Sequence, residues 1–266
     1  MYITSIMPIK LNQYPKFTLC EFFTKASDFC LCIFVINENQ KLLDQLKKIQ
    51  TLKLPLDIII ADGGSTDGST EESVLKSLNV RSLLTKTGPG KLSAQMRMAF
   101  HYALEQGYKG VITMDGNNKD DPKSLSLFID ALNHGKDHVQ GSRFIPGGYH
   151  ENTPLSRLLA VKCIHAPLIS LASGFRYTDT TNGFRAYSSS FLSDPRLDVF
   201  RDIFIKYELH YYLAIQACKL GFKVSEVPTS RIYPSTGKVP TKISPLKGNF
   251  EVLMTLFKAV IGSYNP

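Results

Sequence analysis

Two short apolar runs, each cut off by an acid and a glycine, constrain this chain more than anything else in it. Asp57-Ile-Ile-Ile-Ala-Asp62 runs into Gly63-Gly64-Ser65-Thr66-Asp67-Gly68, and Gly110-Val-Ile-Thr-Met-Asp115 runs into Gly116-Asn117-Asn118-Lys119. Unbroken apolar runs of this length, bounded by turn residues, fit strands covered on both faces, as in a parallel sheet. Strands of such a sheet point the same way, so both turns arrive at its carboxyl edge. Carboxylates and bare backbone N–H groups then stand together where open α/β sheets bind nucleotides. Two turns in register suit a diphosphate-linked ligand, with the first near a nucleoside and the second near the phosphates.

The same alternation extends along the chain. Leu31–Ile36 reads as a buried strand, followed by Asn37-Glu38-Asn39 and a helix to about Leu52. Asp57–Ala61 is a second strand, with a helix starting near Thr70-Glu71-Glu72, whose acids suit the positive end of a helix. Val80–Leu84 is a third strand. A Gly88-Pro89-Gly90 turn then leads into Lys91–Gln106, where Leu92, Met96, Ala99 and Ala103 recur at helical spacing. Strand Gly110–Met114, helix Pro122–Asn133 and a short strand at Val139–Gln140 follow. This succession predicts an α/β fold with a mostly parallel, Rossmann-like sheet flanked by helices. Beyond it the pattern predicts an apolar helix at Leu155–Ser173, a strand within Asp179–Tyr187, a helix at Tyr207–Lys219, a strand at Phe222–Val227 and a terminal helix at Phe250–Ile261. The expected organisation is an N-terminal extension (1–30), whose place is an edge strand or a wrapping segment, one large domain (31–240) and a basic, apolar helical tail (241–266).

Composition narrows the class. A chain of 266 residues that is 43% apolar buries a sizeable core. Cys20, Cys30, Cys32, Cys163 and Cys218 are odd in number and scattered, and no His/Cys group has zinc-binding spacing. They read as reduced cysteines of a cytoplasmic protein. The opening Met1–Lys10 lacks the apolar core of a signal peptide, and no run is expected to approach the ~20 apolar residues that span a bilayer. The net charge of +8 is placed unevenly: Lys219–Pro266 holds seven basic residues against Glu226 and Glu251. That asymmetry points to an anionic partner near the C-terminus, a phosphate or an acidic membrane surface. No RNA- or DNA-binding motif accompanies it, so a nucleic-acid module ranks low.

Each turn also has a plain reading, the first as an αβ turn capped by Ser65, Thr66 or Asp67, the second as an Asx-turn leading to Pro122. Their shared edge favours a ligand site, in which Asp62 accepts from a base-ring N–H. Asp115 and Asn117, two residues apart, would hold a divalent cation (Mg2+ or Mn2+) against a diphosphate.

Taken in order, the motifs resemble the family 2 glycosyltransferases of the GT-A fold, and within them the dolichyl-phosphate mannose synthase-like, polyprenyl-phosphate branch. The resemblance runs from about Leu31 to Lys242. Asn37-Glu38 matches a strand-end Asn-Glu, and Asp62-Gly-Gly-Ser-Thr-Asp67-Gly an Asp-Asp-Gly-Ser-x-Asp-Gly in which Gly63 replaces the second acid. Asp115-Gly116-Asn117 sits where that family has Asp-x-Asp. Gly141-Ser-Arg143-Phe, Ser156-Arg157, Asp179-Thr-Thr-Asn-Gly183-Phe-Arg185 and Gly221-Phe-Lys-Val-Ser-Glu226-Val-Pro228 follow in family order, and Arg231 to Gly237-Lys238 resembles its closing Arg-x-x-Gly-x-Ser-Lys. Two residues depart from the pattern. Asn117 replaces the second acid, and Lys119 stands where the branch often has a neutral residue. Lys119 either weakens a cation site, neutralises part of the diphosphate itself, or lies at the surface paired with Asp120 or Asp121.

The resemblance implies an inverting transfer from a nucleotide-sugar (UDP- or GDP-linked) to a polyprenyl phosphate. The alternative is a glycan hydroxyl in surface-polysaccharide assembly, with nucleotidyl transfer lower. It places Asn37, Glu38, Asp62, Gly63, Gly64, Ser65, Asp67, Lys91, Asp115, Gly116, Arg231 and Lys238 on the donor side. Arg143, Arg157 and Arg185 become candidate phosphate donors and Asp179 the candidate base, ahead of Glu208 and His210. For His210 the preferred reading is a ring packed among Tyr207, Tyr211 and Tyr212, and the plain reading of Glu208 is an exposed helix position. The apolar helix after Lys238, Lys242 and Lys247 fits an interfacial helix at the inner face of a membrane, a contact to a membrane protein, or a core or homodimer interface.

Overall fold

A computed structural model describes residues 13–235 and 247–266. Lys238, Gly237 and Lys242 lie outside the described residues. An eight-stranded sheet forms the centre, in the order β1 (Phe17–Glu21), β4 (Val80–Lys86), β3 (Asp57–Asp62), β2 (Phe29–Val35), β5 (Gly110–Asp115), β8 (Arg185–Ser188), β6 (His138–Ser142) and β9 (Val224–Pro228). Strands β4, β3, β2 and β5 run parallel, as do β6 and β9; β1 and β8 are antiparallel to their neighbours. Part of the N-terminal extension is thus an edge strand.

The period of two along β2 accounts for the layers. Cys30, Cys32 and Phe34 join a core with Met96, Phe100, Leu209 and Leu213, from α3 (Leu92–Glu105) and α8 (Glu208–Lys219). Leu31, Ile33 and Val35 point the other way, to Leu42, Leu46 and Ile49 of α1 (Gln40–Leu52), Leu75 of α2 (Glu72–Ser77) and Phe128 and Ile129 of α4 (Leu125–Asn133). Every residue of β2 and β3 is buried, as a doubly covered sheet requires.

From β2 the chain steps outward through β3 to β4, then α3 carries it back to β5 on the other flank of β2. This reversal creates the crevice at the carboxyl ends of the strands. Val35 pairs with Asp62 and Phe34 with Asp115, so the two strand-end acids flank β2 almost level, about 10 Å apart at two strand spacings.

Some elements differ from expectation. The strand sought within Asp179–Tyr187 begins only at Arg185, because residues 179–184 form a loop whose polar groups serve the ionic site. A two-stranded parallel ribbon, β7 (Tyr149–Glu151) with β10 (Ser230–Ile232), has no counterpart in the sequence pattern. Between them lie α5 (Leu155–Ala160), a π-helical turn (Val161–His165) and α6 (Ala166–Ser173), followed by β8 and the short α7 (Ser189–Leu192). Leu155–Ser173 has the length and composition to cross a membrane, which corrects the expectation that no run approaches that length. Ile169 packs with Tyr211 and Ile215 of α8, while Leu155, Leu159, Ile164 and Leu171 are exposed. The terminal helix α9 (Lys247–Val260) buries Leu256 and Ala259 in the same cluster and exposes Phe250 and Phe257.

Candidate active site

The turn after β3 is built from short-range hydrogen bonds. Both oxygens of Asp62 accept from the Ser65 N–H at 3.0 Å, and Ser65 Oγ donates to Asp62 Oδ1 at 2.6 Å. Asp62 is buried, so as it stands its carboxylate holds the turn rather than facing a base. The Asn37 N–H donates to Ser65 Oγ (2.9 Å), and Asn37 Oδ1 accepts from the Thr66 N–H (2.8 Å). The Asn39 N–H donates to Asp67 Oδ2 (2.7 Å), while Ser69 donates to Asp67 Oδ1 through its N–H and hydroxyl. Burial alone would raise Asp67, but these bonds bring its carboxyl below the usual range. Gly63 is explained by Gln95, whose Nε2 donates to the carbonyls of Val35 and Ala61 at 3.0 Å. A Cβ at position 63 would lie 3.0 Å from that nitrogen, so a second acid needs Gln95 to move. Gly64 is exposed at the lip of the turn, and Glu38 contributes its backbone carbonyl to Lys41. Lys91 is exposed at the start of α3, its N–H donating to the Ile205 carbonyl at 2.9 Å.

The turn after β5 is held by ions and by distant residues. Arg231 is buried and ion-paired to Asp120, and its Nη2 lies 3.4 Å from Asp115 Oδ2. Burial opposes the charge on Arg231, but the two carboxylates raise its pKa above the usual arginine value. Burial raises the Asp120 carboxyl in spite of Arg231. Gln45, reaching up from α1, donates to the Asp115 carbonyl (3.0 Å) and accepts from the Asn118 N–H (2.8 Å). Gly116 lies buried against Val35, and its N–H donates to the Phe34 carbonyl at 3.0 Å. Lys119 is neither at the surface nor paired with Asp120 or Asp121. It turns inward, 9% exposed, with Nζ 5.4 Å from the centre of the Tyr233 ring. Burial, then Arg231, lowers its pKa from the usual lysine value, against the pull of Tyr233 and Asp115.

As arranged, Asp115 and Asn117 do not fit a preformed two-acid cation site. Asp115 Oδ2 is approached by Arg231 and by Asn117 Nδ2 (3.3 Å), and Asn117 Oδ1 accepts from the Lys119 N–H (3.2 Å). Among the described residues no three His, Cys, Asp or Glu side chains gather as metal ligands.

On the far side of Asp115, Arg143 and Asp179 form a bidentate pair at 2.6 and 3.0 Å, with Asp179 fully buried. Burial works against the Arg143 charge, but Asp179 raises its pKa. Arg143 also donates to Thr181 Oγ1 (3.1 Å). Asp179, the expected base, has both oxygens on Arg143 as it stands. Arg185, the expected phosphate donor, is turned to the backbone as it stands. It is buried and donates to three backbone carbonyls, Asn182 (3.0 Å), His210 (2.6 Å) and Thr180 (2.7 Å), bracing the 180–184 loop. Glu208 is buried rather than exposed, accepting from the Ile205 and Lys206 N–H groups. His210 is a buried ring, and burial followed by the nearby Arg185 holds it well below the usual histidine value.

A family-wide pattern, Glycosyl transferase family 2, matches residues 30–196, more than half of the chain. This chain belongs to glycosyl transferase family 2. Among relatives of this family 2 member, polyprenol monophosphomannose synthase of Mycolicibacterium smegmatis is 31% identical over 174 residues, 64% of this chain and 64% of that protein. The match thus spans under two thirds of that relative's length. Undecaprenyl-phosphate mannosyltransferase of Micrococcus luteus is 28% identical over 208 residues, 76% of this chain and 82% of that protein. Glucosyl-3-phosphoglycerate synthase of Mycobacterium tuberculosis, solved with Mn2+, UDP and glucosyl-3-phosphoglycerate, superimposes with a TM-score of 0.62 at 15% identity, covering 88% of this chain and 78% of that one. That likeness carries the GT-A fold.

Several residues around the site of this family 2 protein escaped sequence reasoning. Tyr233 is buried, with Lys119, Arg157 and Arg231 5.4 to 5.7 Å from its ring centre. Burial raises its hydroxyl, but Arg231, Arg143 and Arg157 bring it below the usual tyrosine value. Arg157 comes from α5, so the apolar helix delivers one of the site's cations. A groove of about 520 Å³ beside Arg143 is lined by Phe144, His150 and Lys162 among others. A similar cavity of about 550 Å³ near Lys25, Phe29 and Pro55 opens at the amino ends of the strands, away from this chemistry. The aromatic in Arg231-Ile-Tyr233 was the available signal for Tyr233; nothing in the sequence pointed to Gln45 or Gln95, or to Arg231 as the partner of Asp120.

Proposed function

We propose that this chain transfers a sugar from a nucleotide diphosphate donor to a polyprenyl phosphate, at the cytoplasmic face of a membrane. The observation that carries this reading is the state of its candidate bases. Asp179 is committed to Arg143, Glu208 to two backbone N–H groups, and His210 is a buried ring. A sugar hydroxyl needs a base within reach, whereas a phosphate is already ionised at neutral pH and attacks unaided. The names of the two relatives, which refer to polyprenol and undecaprenyl phosphates, support the same acceptor.

In this reading the donor's nucleoside end lies over the β3 turn, with its diphosphate beside the Asp115–Arg231 pair. Arg143, held by Asp179, and Arg157, held against Tyr233, receive the acceptor phosphate. A phosphate oxygen attacks the anomeric carbon and a new C–O bond forms with inversion. The bond to the nucleotide breaks, and its electron pair leaves with the diphosphate, whose growing charge the cations stabilise. The exposed apolar residues of Leu155–Ser173 share that segment with Arg157 and Lys162, the arrangement of an interfacial helix at an anionic membrane.

The test is transfer from radiolabelled GDP-mannose, UDP-glucose and related donors to undecaprenyl phosphate in detergent, against a panel of oligosaccharides. Label in the lipid phase is expected. Label only in oligosaccharide would reject the phosphate acceptor and favour the glycan one.

A further inference from the structure

The turn after β5 carries its own positive charge where a cation would be needed. Lys119 and Arg231 come from separate segments that the backbone stitches together. The Ile232 N–H donates to the Lys119 carbonyl and the Asp121 N–H to the Ser230 carbonyl, both at 2.9 Å. Both cationic side chains lie against one buried ring, Tyr233, at 5.4 and 5.7 Å from its centre. Asp120 clasps Arg231 from behind, so the guanidinium stays aimed at Asp115. An isolated buried cation would be costly. Here three cations, Lys119, Arg157 and Arg231, gather at Tyr233 against two carboxylates, Asp115 and Asp120, so the cluster keeps a positive charge for a ligand to meet.

The chemistry of positions 117 and 119 points the same way. Asn117 is uncharged and Lys119 is cationic, so these two positions add positive charge beside Asp115 where a cation site needs anionic ligands. Asn117 is also turned so that its Nδ2 meets Asp115 and its Oδ1 accepts from the Lys119 backbone, which braces the lysine's own turn.

We propose that Lys119 and Arg231, assembled on Tyr233, are the built-in counter-charge of the donor diphosphate, so that nucleotide binding does not require a divalent cation. Lys119 supplies a compact ammonium and Arg231 a planar fork, a pair suited to oxygens of adjacent phosphates. This rests on the donor reading above and adds which groups meet the diphosphate.

The experiment is calorimetric titration of the full chain with GDP and with UDP, in EDTA and in millimolar Mg2+. The expected result is binding of one nucleotide in EDTA, changed less than about threefold by Mg2+. Lys119→Gln should lose tenfold or more in EDTA and recover part of it with Mg2+, while Lys119→Arg should behave like the natural chain. Circular dichroism melts check that each variant folds. The double variant Asn117→Asp/Lys119→Gln, which restores a second acid, should bind only when Mg2+ is present. Binding by the natural chain only in Mg2+, or equal losses for Lys119→Gln with and without Mg2+, would overturn the proposal and leave the donor reading standing. No binding of GDP or UDP in either buffer would overturn both.

Discussion

The two turns that flank β2 are alike in sequence and opposite in construction. The β3 turn is held by residues two to three apart, Asp62 with Ser65 and Asp67 with Ser69, clasped by Asn37 and Asn39 from the next strand end. The β5 turn is held by partners far along the chain: Asp115 meets Arg231 across 116 residues and Asn118 meets Gln45 across 73. Behind the second turn stand further buried ions, Arg143 with Asp179 and Arg185 on its three carbonyls. A turn built locally is stable wherever its strand is stable. A turn built from distant charges exists only when the whole domain is closed, and it can concentrate positive potential that a local turn cannot.

Breaking the ionic side should therefore cost more than breaking the local one. The largest effect is expected for Arg143→Ala, which leaves Asp179 buried and unpaired. A loss of about 3–5 kcal/mol in urea unfolding is expected, and a loss under 1 kcal/mol would show that the pair is not buried in solution. Asp115→Asn comes next. Half-buried at the mouth of the site and paired with Arg231, it should leave the unfolding midpoint almost unchanged while transfer falls roughly a hundredfold, about 2.7 kcal/mol, because Arg231 loses the carboxylate that aims it. Equal losses of stability and rate would place Asp115 in the scaffold instead. Asp62→Asn weakens the bonds that the Ser65 N–H and hydroxyl donate within the local turn and should cost about 1.5 kcal/mol. Nucleotide affinity should fall in proportion to the loosening of the turn, measured by hydrogen exchange at Ser65 and Thr66.

The smallest effect at neutral pH is a difference in acid sensitivity, and it separates the two regions directly. His138 and His210, close to Arg185, are buried and held well below the ordinary value of 6.5, by burial first and by Arg185 second. A depressed histidine means that the unfolded chain binds more protons below that value. Stability on this side is therefore complete above about pH 6.5 and falls as the pH drops further. Asp67 is lowered from 3.8, so its contribution to the local turn persists until the pH falls through that value and below. Hydrogen exchange from pH 7 to pH 4 should show residues around Arg185 loosening before the β3 turn. Simultaneous loosening would mean that the two turns are one cooperative unit.

The same contrast explains what was legible beforehand. The buried strands, their order of alternation with helices and the two strand-end acids follow from local apolar runs, and each is where the pattern places it. Edge strand β1 and the β7–β10 ribbon were not legible, because their residues alternate weakly and their pairing partners lie far away. Arg185 and Asp179 were assigned to chemistry because arginine and aspartate in a matched motif read alike whether they face a ligand or a backbone. Lys119 illustrates the reverse. Beside two aspartates it reads as an exposed ion pair, yet Arg231 takes Asp120 and Asp121 caps the short 3-10 turn at Pro122 through the Lys123 N–H.

By itself the sequence determined the layered α/β sheet, the two acid turns at its carboxyl edge and the family, since these depend on periodicity and on short ordered motifs. Only the tertiary structure decided which charges pair with one another and which buried groups they brace. Charge acts through space, and its partner is chosen by packing: Arg231, Asp120, Asp115 and Lys119 become one cluster only after β10 closes beside the β5 turn.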